Sequence, residues 1–537
     1  MEVFILEDPR GVRAKGVARQ PEDFFSFPAV KGESLLSVLQ RAGAPVQAPC
    51  GGNGTCGKCA VEVKRADGEW ERVLACQTDA EDGMMVVPIP HKDGLKVEGS
   101  DSDAAALARF SLDGAPAGQL GVAVDLGTTT IAAYLFDAAT GKLLARGGVA
   151  NPQASFGADV ISRIQASAAG ALDVLEDAAV RCIRQLARDL CMQAGADPSR
   201  IARWAVAGNT VMEHILCGIS PESIGSYPFE PQTLFGDCRA VAGMGDTYLC
   251  PCVSGYVGGD ISAGVVACGL DAFVDLGDGS LSEVPHRRIL FADLGTNGEM
   301  ALIADGKLIC CATATGPAFE GANISQGMQA RSGAIDSCRF EGDSFHITVV
   351  GDVEPVGVCG SGLIDALAAC LEAGVVDETG RMLVPDQVPE NRAHLVALRG
   401  GKPVARLTPT GTVALTQKDV RALQLAKAAV SAGIACMLDE AGIEPSQIDE
   451  FVVGGAFGAH LRPAAAAAIG MFPEELAPKV RLVGNCAGAG ACAALLSEDA
   501  RERMKTVAEA ARYVELSLDE GFSDAYIDAM EFEGAIV

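Results

Sequence analysis

No stretch limits the fold of this chain more than Val124-Asp125-Leu126-Gly127-Thr128-Thr129-Thr130, because it returns 168 residues later as Ala292-Asp293-Leu294-Gly295-Thr296-Asn297-Gly298-Glu299. At both places an apolar strand runs into Asp-Leu-Gly-Thr, and a second apolar strand follows the turn. The first copy continues through Ile131 to Phe136, turns between Asp137 and Lys142 and re-enters Leu143-Leu144-Ala145. The second continues through Met300 to Ile303, turns between Ala304 and Lys307 and re-enters Leu308-Ile309-Cys310-Cys311-Ala312. Two halves that open with the same β-hairpin are the mark of an internal duplication.

Each turn supplies what a nucleotide phosphate needs. Gly127 and Gly295 permit close backbone approach; Thr128, Thr129 and Thr130, like Thr296 and Asn297, offer side-chain and backbone donors. Asp125 and Asp293, at the strand ends, can hold Mg²⁺ or its water. Glu299 is placed on the following strand either to orient an attacking water or as an ordinary strand-edge acid. Farther on, Glu450-Phe451-Val452-Val453 enters Gly454-Gly455-Ala456-Phe457-Gly458, where Gly454, Gly455 and Gly458 would let a base and ribose lie against the backbone. Asp260 reads equally as a further magnesium or water ligand and as a helix cap. The Gly-rich helix starts at 208–210, 315–317 and 359–362 could receive an anion or serve only their own caps.

The charge balance narrows the partners. Against 42 Lys+Arg stand 70 Asp+Glu, a net charge of -28 that repels nucleic acid and anionic membrane, so neither is expected as a partner. The start, Met1 to Arg10, lacks a basic leader, and no continuous run reaches the ~18 apolar residues of a membrane helix, so a cytoplasmic protein is expected. Nineteen cysteines in a long, leaderless chain point to metal where they cluster, not to a disulfide framework.

That cluster is Cys50-Gly51-Gly52-Asn53-Gly54-Thr55-Cys56-Gly57-Lys58-Cys59 with Cys76, spaced C-x5-C-x2-C-x16-C. Four thiolates can hold a [2Fe-2S] cluster, with the glycines turning backbone N–H groups toward the sulfides. A structural zinc site more often uses two separated C-x2-C pairs, and unliganded thiols are the remaining reading. Ahead of the loop, Ser34 caps a helix with a Leu35, Val38, Leu39, Ala42 stripe, which Gly43 ends. Short apolar runs on either side make residues 1–90 a small α+β module.

The loop and Leu74-Ala75-Cys76-Gln77-Thr78 resemble plant-type and adrenodoxin-type ferredoxin domains, whose fold is a β-grasp; the first spacing is that of the adrenodoxin-like branch. Residues 91–118 have the Gly, Ser, Asp and Pro content of a linker, either a flexible tether or a rigid connection. Two ATPase parts are expected beyond it, residues 119–205 and a larger 206–537. Phosphate turn, second phosphate turn and Gly-Gly turn follow the order of the actin, Hsp70 and sugar-kinase ATPases, duplicated α/β folds of the ribonuclease H-like kind.

A [2Fe-2S] ferredoxin domain joined to such an ATPase is the pairing of the reductive activators of corrinoid proteins. The resemblance extends over Asp125 to Thr130, Gly208-Asn209-Thr210, Gly255 to Gly258, Asp293 to Glu299, Gly316 to Gly321, Gly360 to Gly362 and Gly454 to Gly458. It implies an ATP-hydrolysing enzyme with a [2Fe-2S] cluster, ATP and Mg²⁺ as cofactors, returning a methyltransferase corrinoid from Co(II) to Co(I). It also implies a corrinoid protein and an upstream low-potential electron donor as partners, with a homodimer left open. Delivery to another low-potential enzyme, a redox-sensing small-molecule kinase and a redox-dependent scaffold are the alternatives. Met212-Glu213-His214-Ile215-Leu216-Cys217 departs from the D-x-H-x-x-G cobalt-ligating pattern at both ends, so the chain is not itself a corrinoid carrier and His214 reads as a helix residue.

Overall fold

The computed structural model describes residues 1–6, 23–42, 44, 46, 48, 52, 54, 58–65, 68–89, 107–275, 286–321, 323–455 and 460–532. Five strands, β1 (Glu2–Leu6), β2 (Phe24–Pro28), β3 (Ala60–Lys64), β4 (Glu71–Leu74) and β5 (Met85–Pro88), form one sheet in the order β2-β1-β5-β3-β4. β1 and β5 run parallel, and the other neighbours are antiparallel. Val3, Ile5, Val61, Val63 and Val86 meet Leu35, Leu36, Val38 and Leu39 of the helix Leu35–Arg41 in one buried core. Ser34 caps that helix, its Oγ accepting from Ser37 N at 3.2 Å. This is the expected β-grasp; Gly43, the predicted helix stop, lies outside the described residues.

A second sheet contains β6 (Leu120–Leu126), β7 (Thr130–Asp137), β8 (Lys142–Ala150), β9 (Ile201–Gly208), β10 (Cys238–Val241) and β11 (Gly245–Leu249), in the order β10-β11-β9-β6-β7-β8. A third opens with β12 (Ile289–Leu294), β13 (Gly298–Ala304) and β14 (Lys307–Thr313). Two small sheets are inserted next: β15 (Ala334–Glu341), β16 (Ser344–Val349) and β17 (Gly357–Val358), then β18 (Val396–Arg399), β19 (Lys402–Arg406) and β20 (Ala414–Thr416). The third sheet is completed by β21 (Glu450–Gly454), β22 (Val480–Gly484) and β23 (Ala511–Tyr513), in the order β22-β21-β12-β13-β14-β23.

The duplication is visible in the pairing. β6-β7-β8 and β12-β13-β14 are antiparallel meanders, and in each sheet a later strand, β9 or β21, joins the first strand in parallel. A parallel neighbour needs a crossover, which the helix Leu172–Ala194 supplies in the first lobe. The division expected between residues 205 and 206 therefore falls inside β9, and the first sheet runs on to Leu249. Part of the expected linker is likewise held in place. Leu107 and Phe110 pack on the core between the lobes, Arg109 pairs with Asp271 at 2.8 Å, and Asp113 N donates to Leu496 O at 2.8 Å. Residues 91–106 lie outside the described residues.

Two helices cross between the lobes. Gly259–Ala267 leaves the first sheet and Cys486–Leu496 leaves the third, and they pack on each other through small side chains. A Cβ on Gly490 would stand 2.4 Å from Ala263 O, so the close approach requires glycine there. Among the described residues one helix, Gln417–Ala441, has the length and mean hydropathy to cross a bilayer, but 72 % of its apolar window is buried in the protein. Gln424 and Lys427 interrupt its apolar run, which is why the sequence shows no continuous span. Gly490→Val should force the crossing helices apart and cost about 1–3 kcal/mol of stability by overpacking, measured as a lower denaturation midpoint; an unchanged midpoint would refute the close packing.

Candidate nucleotide cleft and thiol pair

Strand alternation directs the acids. β6 and β12 are buried on both faces: Val122, Val124 and Leu126 enter one core, while Ala123 enters the core between the lobes. Likewise Leu290, Ala292 and Leu294 face outward, and Ile289 and Phe291 face the other lobe. Because side chains two residues apart share a face, Asp125 follows Ala123 and Asp293 follows Phe291 toward the space between the lobes. Glu299 does the same on β13, in line with Ala301 and Ile303 and directly opposite Asp293 in the strand pairing.

The two duplicated turns meet there. Thr129 Oγ1 and Thr296 Oγ1 are 2.8 Å apart, one from each lobe. Behind the first turn, Asn151 Nδ2 donates to Gly127 O at 2.9 Å and Asn209 Nδ2 to Thr128 Oγ1 at 3.0 Å. Arg163, wholly buried, donates to Thr128 O and to Gln153 Oε1. Burial pulls its guanidinium down to about 9, with Asp159 and Glu320 acting in the opposite direction. Behind the second turn, Thr315 Oγ1 donates to Gly295 O at 2.8 Å and to Thr296 O at 2.9 Å. Thr130 opens β7, and a Cβ on Gly127 would stand 2.7 Å from Thr130 O. Gly454 ends β21 beside Asp293, and Gly455 has φ +98°, where a Cβ would stand 2.3 Å from Leu294 O. Gly458 lies outside the described residues.

Carboxyls crowd the cleft: Glu299 is buried, and Asp125, Asp260, Asp293 and Glu320 are partly accessible. Burial is the main cause that pushes Asp125 up to about 7, Asp293 to about 8 and Asp260 to about 6, and Asp260 adds to the first two through its charge. Glu299 is raised well above the usual range by burial and then by Asp260 and Asp293, and burial raises Glu320. Local donors offset part of this: Asn485 Nδ2 to Asp125 Oδ2 at 2.7 Å, Thr296 Oγ1 to Glu320 Oε1 at 2.9 Å, and Asn297 Nδ2 to Glu299 Oε1 at 3.2 Å. Glu320 Oε2 is buried with no hydrogen-bond partner. A divalent cation would relieve this crowding. Among the described residues no three acids, thiols or imidazoles are grouped to chelate an ion directly, so Mg²⁺ would depend on phosphate oxygens and waters for its remaining ligands.

Sequence reasoning left Asp260 open and missed Glu320, Asn485 and Arg163. A usable signal was the Gly-Asn pair that ends β9 at Gly208-Asn209 and recurs after β22 at Gly484-Asn485, each Asn capping the next helix. Other glycine-led starts serve local structure; Ser361 Oγ, for instance, donates to Asp336 O at 3.1 Å. His214 is a buried residue of the helix Thr210–Leu216, its Nδ1 2.7 Å from Thr210 O, as expected of a helix residue.

In the N-terminal module, Cys59 Sγ and Cys76 Sγ stand 3.3 Å apart, and Ala75 N donates to Cys59 O at 2.9 Å, holding the two segments in register. Gly52 and Gly54 have φ of +91° and +72°; a Cβ on Gly54 would strike Gln77 Nε2 at 2.8 Å. Converging thiols beside a glycine-lined turn fit a cluster cradle. Cys50 and Cys56, the other two predicted ligands, lie outside the described residues.

Comparison with known proteins agrees with this layout. Residues 22–81 match the 2Fe-2S iron-sulfur cluster binding domain, 120–272 the RACo middle region, and 287–535 the C-terminal domain of RACo, described as the ASKHA domain. The corrinoid activation enzyme RamQ of Eubacterium limosum is 29 % identical over 93 % of this chain and 96 % of its own. The [Co(II) methylated amine-specific corrinoid protein] reductase of Methanosarcina barkeri is 25 % identical over 77 % of each chain. The solved structure of a reductive activator for corrinoid, iron-sulfur protein superposes with a TM-score of 0.70 at 27 % identity, covering 99 % of this chain and 98 % of that one.

The raised acids give a titration test. With Asp293 near 8 and Asp125 near 7, the first is mostly and the second partly protonated at pH 7, and a bound cation would displace those protons. Magnesium-nucleotide binding should therefore release protons and tighten as pH rises from 6 to 8, read by calorimetry in buffers of different ionisation enthalpy. Binding heats independent of buffer would contradict the buried-acid reading.

Proposed function

We propose that this chain, which belongs to the family of reductive activators of corrinoid proteins, couples ATP hydrolysis to the one-electron return of a corrinoid protein from Co(II) to Co(I). The observation that carries the reading is the Thr129–Thr296 contact, which sets two copies of one phosphate turn face to face between two lobes, in a chain whose N-terminal module pairs Cys59 with Cys76.

When bound, the [2Fe-2S] cluster supplies single electrons at low potential; Cys59 and Cys76, with Cys50 and Cys56, are its proposed ligands. The Thr128–Thr130 and Thr296–Asn297 turns grip the phosphates from opposite lobes, and Gly454 and Gly455 leave room for the nucleoside. Asp125 and Asp293 would hold Mg²⁺, which would neutralise phosphate charge there, and Glu299 orients the attacking water. Gln40 Nε2, on the helix Leu35–Arg41, donates to Ser155 O. Ser155 belongs to the short turn that Asn151 caps, and Asn151 also holds Gly127 O. A change at the first phosphate turn is thus carried to the thiol module in two steps.

Energetics explain the need for ATP. Plant-type clusters lie near about -400 mV, and one electron driven uphill costs about 2.3 kcal/mol per 100 mV. A Co(II) corrinoid below the donor requires several kcal/mol, which lobe closure on ATP can supply by binding the partner in its more reducible conformation.

The reduced protein mixed with a Co(II) methyltransferase corrinoid protein should raise Co(I) absorbance only when ATP is present. Cys59→Ser should abolish electron delivery while ATP hydrolysis continues. Glu299→Gln should slow hydrolysis by about 10²–10⁴-fold, the usual contribution of a general base. Equal reduction with and without ATP would overturn the coupling.

A further inference from the structure

Both crossing helices are fastened at their far ends by one short stretch of chain. The helix Gly259–Ala267 carries Asp260 in its first turn, and the helix Cys486–Leu496 starts after Asn485, the donor to Asp125, so both begin at the cleft. At the opposite ends Arg109 Nη1 donates to Val266 O, and Asp113 N donates to Leu496 O at 2.8 Å. Asp113 comes only four residues after Arg109, so their Cα atoms cannot stand more than about 14 Å apart. A change in the crossing must be absorbed within that span or undo one fastening.

The two fastenings are unequal. Asp113 also accepts from Glu498 N at 2.8 Å and pairs with Arg501, and the next residue, Gly114, accepts at its carbonyl from Arg203 at 3.0 Å. Arg109 is partly exposed and pairs at 2.8 Å with one oxygen of Asp271, a wholly buried side chain. Asp271 has a second cation: Arg503, on the helix Glu498–Ala510, stands 2.9 Å from its other oxygen. A buried carboxylate stripped of its partner is costly, but Asp271 keeps one when Arg109 leaves. Arg109 is thus the end that can open.

We propose that residues 107–113 form a releasable strap, with Arg109 as its clasp, through which closure of the lobes on nucleotide lengthens the tether of the thiol module. With the clasp closed, the chain is held to the lobes from Leu107 onward, and the thiol module rests on the first lobe through Gln40 and Ser155 O. When nucleotide turns one crossing helix against the other, Arg109 gives up Val266 O and Asp271, and Arg503 keeps Asp271. Residues 107–112 then join the tether, adding about 20 Å of reach when extended. The module can leave its resting contact for the partner.

The strap rests on the ATP-coupled reading for its trigger, whereas the competition of Arg109 and Arg503 for Asp271 does not. Trypsin reads the clasp directly, because it cuts after arginine and the Arg109–Phe110 bond is protected while the guanidinium is held. Cleavage there follows the open population.

The test treats the full-length holoprotein with trace trypsin, with and without a nonhydrolysable magnesium-ATP analogue, and times cleavage at Arg109–Phe110 by peptide mass. The analogue should speed it about fivefold, the scale on which one partly exposed ion pair matters. Arg503→Gln leaves Asp271 with Arg109 alone, so without nucleotide it should slow the cleavage about fivefold; a misfolded variant would be cut faster instead. In that variant the analogue should lose most of its effect, and electron delivery to a Co(II) corrinoid protein should fall while ATP hydrolysis continues. An analogue that binds, as read by calorimetry, yet leaves cleavage after Arg109 unchanged would overturn the strap and spare the cleft reading. Arg503→Gln cut at the parent rate would overturn the clasp with no nucleotide involved, and unchanged electron delivery in it would overturn the link to the thiol module. If the analogue does not bind, the cleft reading and the trigger fall together, and slower cleavage of Arg503→Gln would still establish the clasp.

Discussion

Carboxyl groups crowded together and partly withdrawn from water are the constraint on which the cleft depends. An ionised acid moved into a protein interior carries a penalty of several kcal/mol unless paired, and here Asp125, Asp260, Asp293, Glu299 and Glu320 crowd one cleft, Glu299 buried and the other four partly accessible. Their mutual repulsion and withdrawal from water oppose charging them together. The donors present, Asn485, Asn297, Thr296 and Cys486, are neutral, so the charge is left for something that enters the cleft. A polyphosphate alone would worsen the repulsion. A phosphate arriving with a cation would remove it, so the proposed function treats nucleotide and metal as one ligand.

The duplication supplies two turns but not two equal sites. In the first copy the residue opposite Asp125 is Ala132; in the second the residue opposite Asp293 is Glu299. In the proposed function the second lobe therefore carries the added acid for hydrolysis. The first carries Arg163, whose guanidinium supports the back of Thr128 and reaches Gln153 in the turn that follows Asn151. Chemistry is weighted to one lobe and transmission to the other, although both descend from the same hairpin.

Features set by a few adjacent residues were legible in the sequence. The hairpins showed because an apolar strand, Asp-Leu-Gly-Thr and a second strand are contiguous, and the cysteine loop showed through its spacing. Glu320 and Asn485 were not legible because Glu320 lies 27 residues beyond Asp293 and Asn485 lies 360 beyond Asp125, acids they meet only through the fold. The division at 205/206 failed for a related reason: β9 joins β6 after a long crossover helix, and no local signal marks which later strand completes a parallel sheet. Composition likewise marked 107–118 as linker, since Gly, Pro and Asp describe a segment without regular structure and say nothing of whether Phe110 and Asp113 dock.

What remains is how a cleft between two lobes could govern an electron in a third module. The short turn at 152–155 bears on both: Asn151 caps it and holds Gly127, Gln153 accepts from Arg163, and Ser155 O accepts from Gln40. Few atoms are involved, so a small movement of the phosphate turn is not averaged out across a broad interface. The contact is also narrow enough to break, because Gln40 is a neutral side chain on a short helix and a single neutral hydrogen bond is worth about 0.5–1.5 kcal/mol. A connection of that strength cannot itself lift an electron by several kcal/mol. It can bias where the thiol module rests in each nucleotide state, and under the proposed function the larger energy would come from lobe closure on the partner.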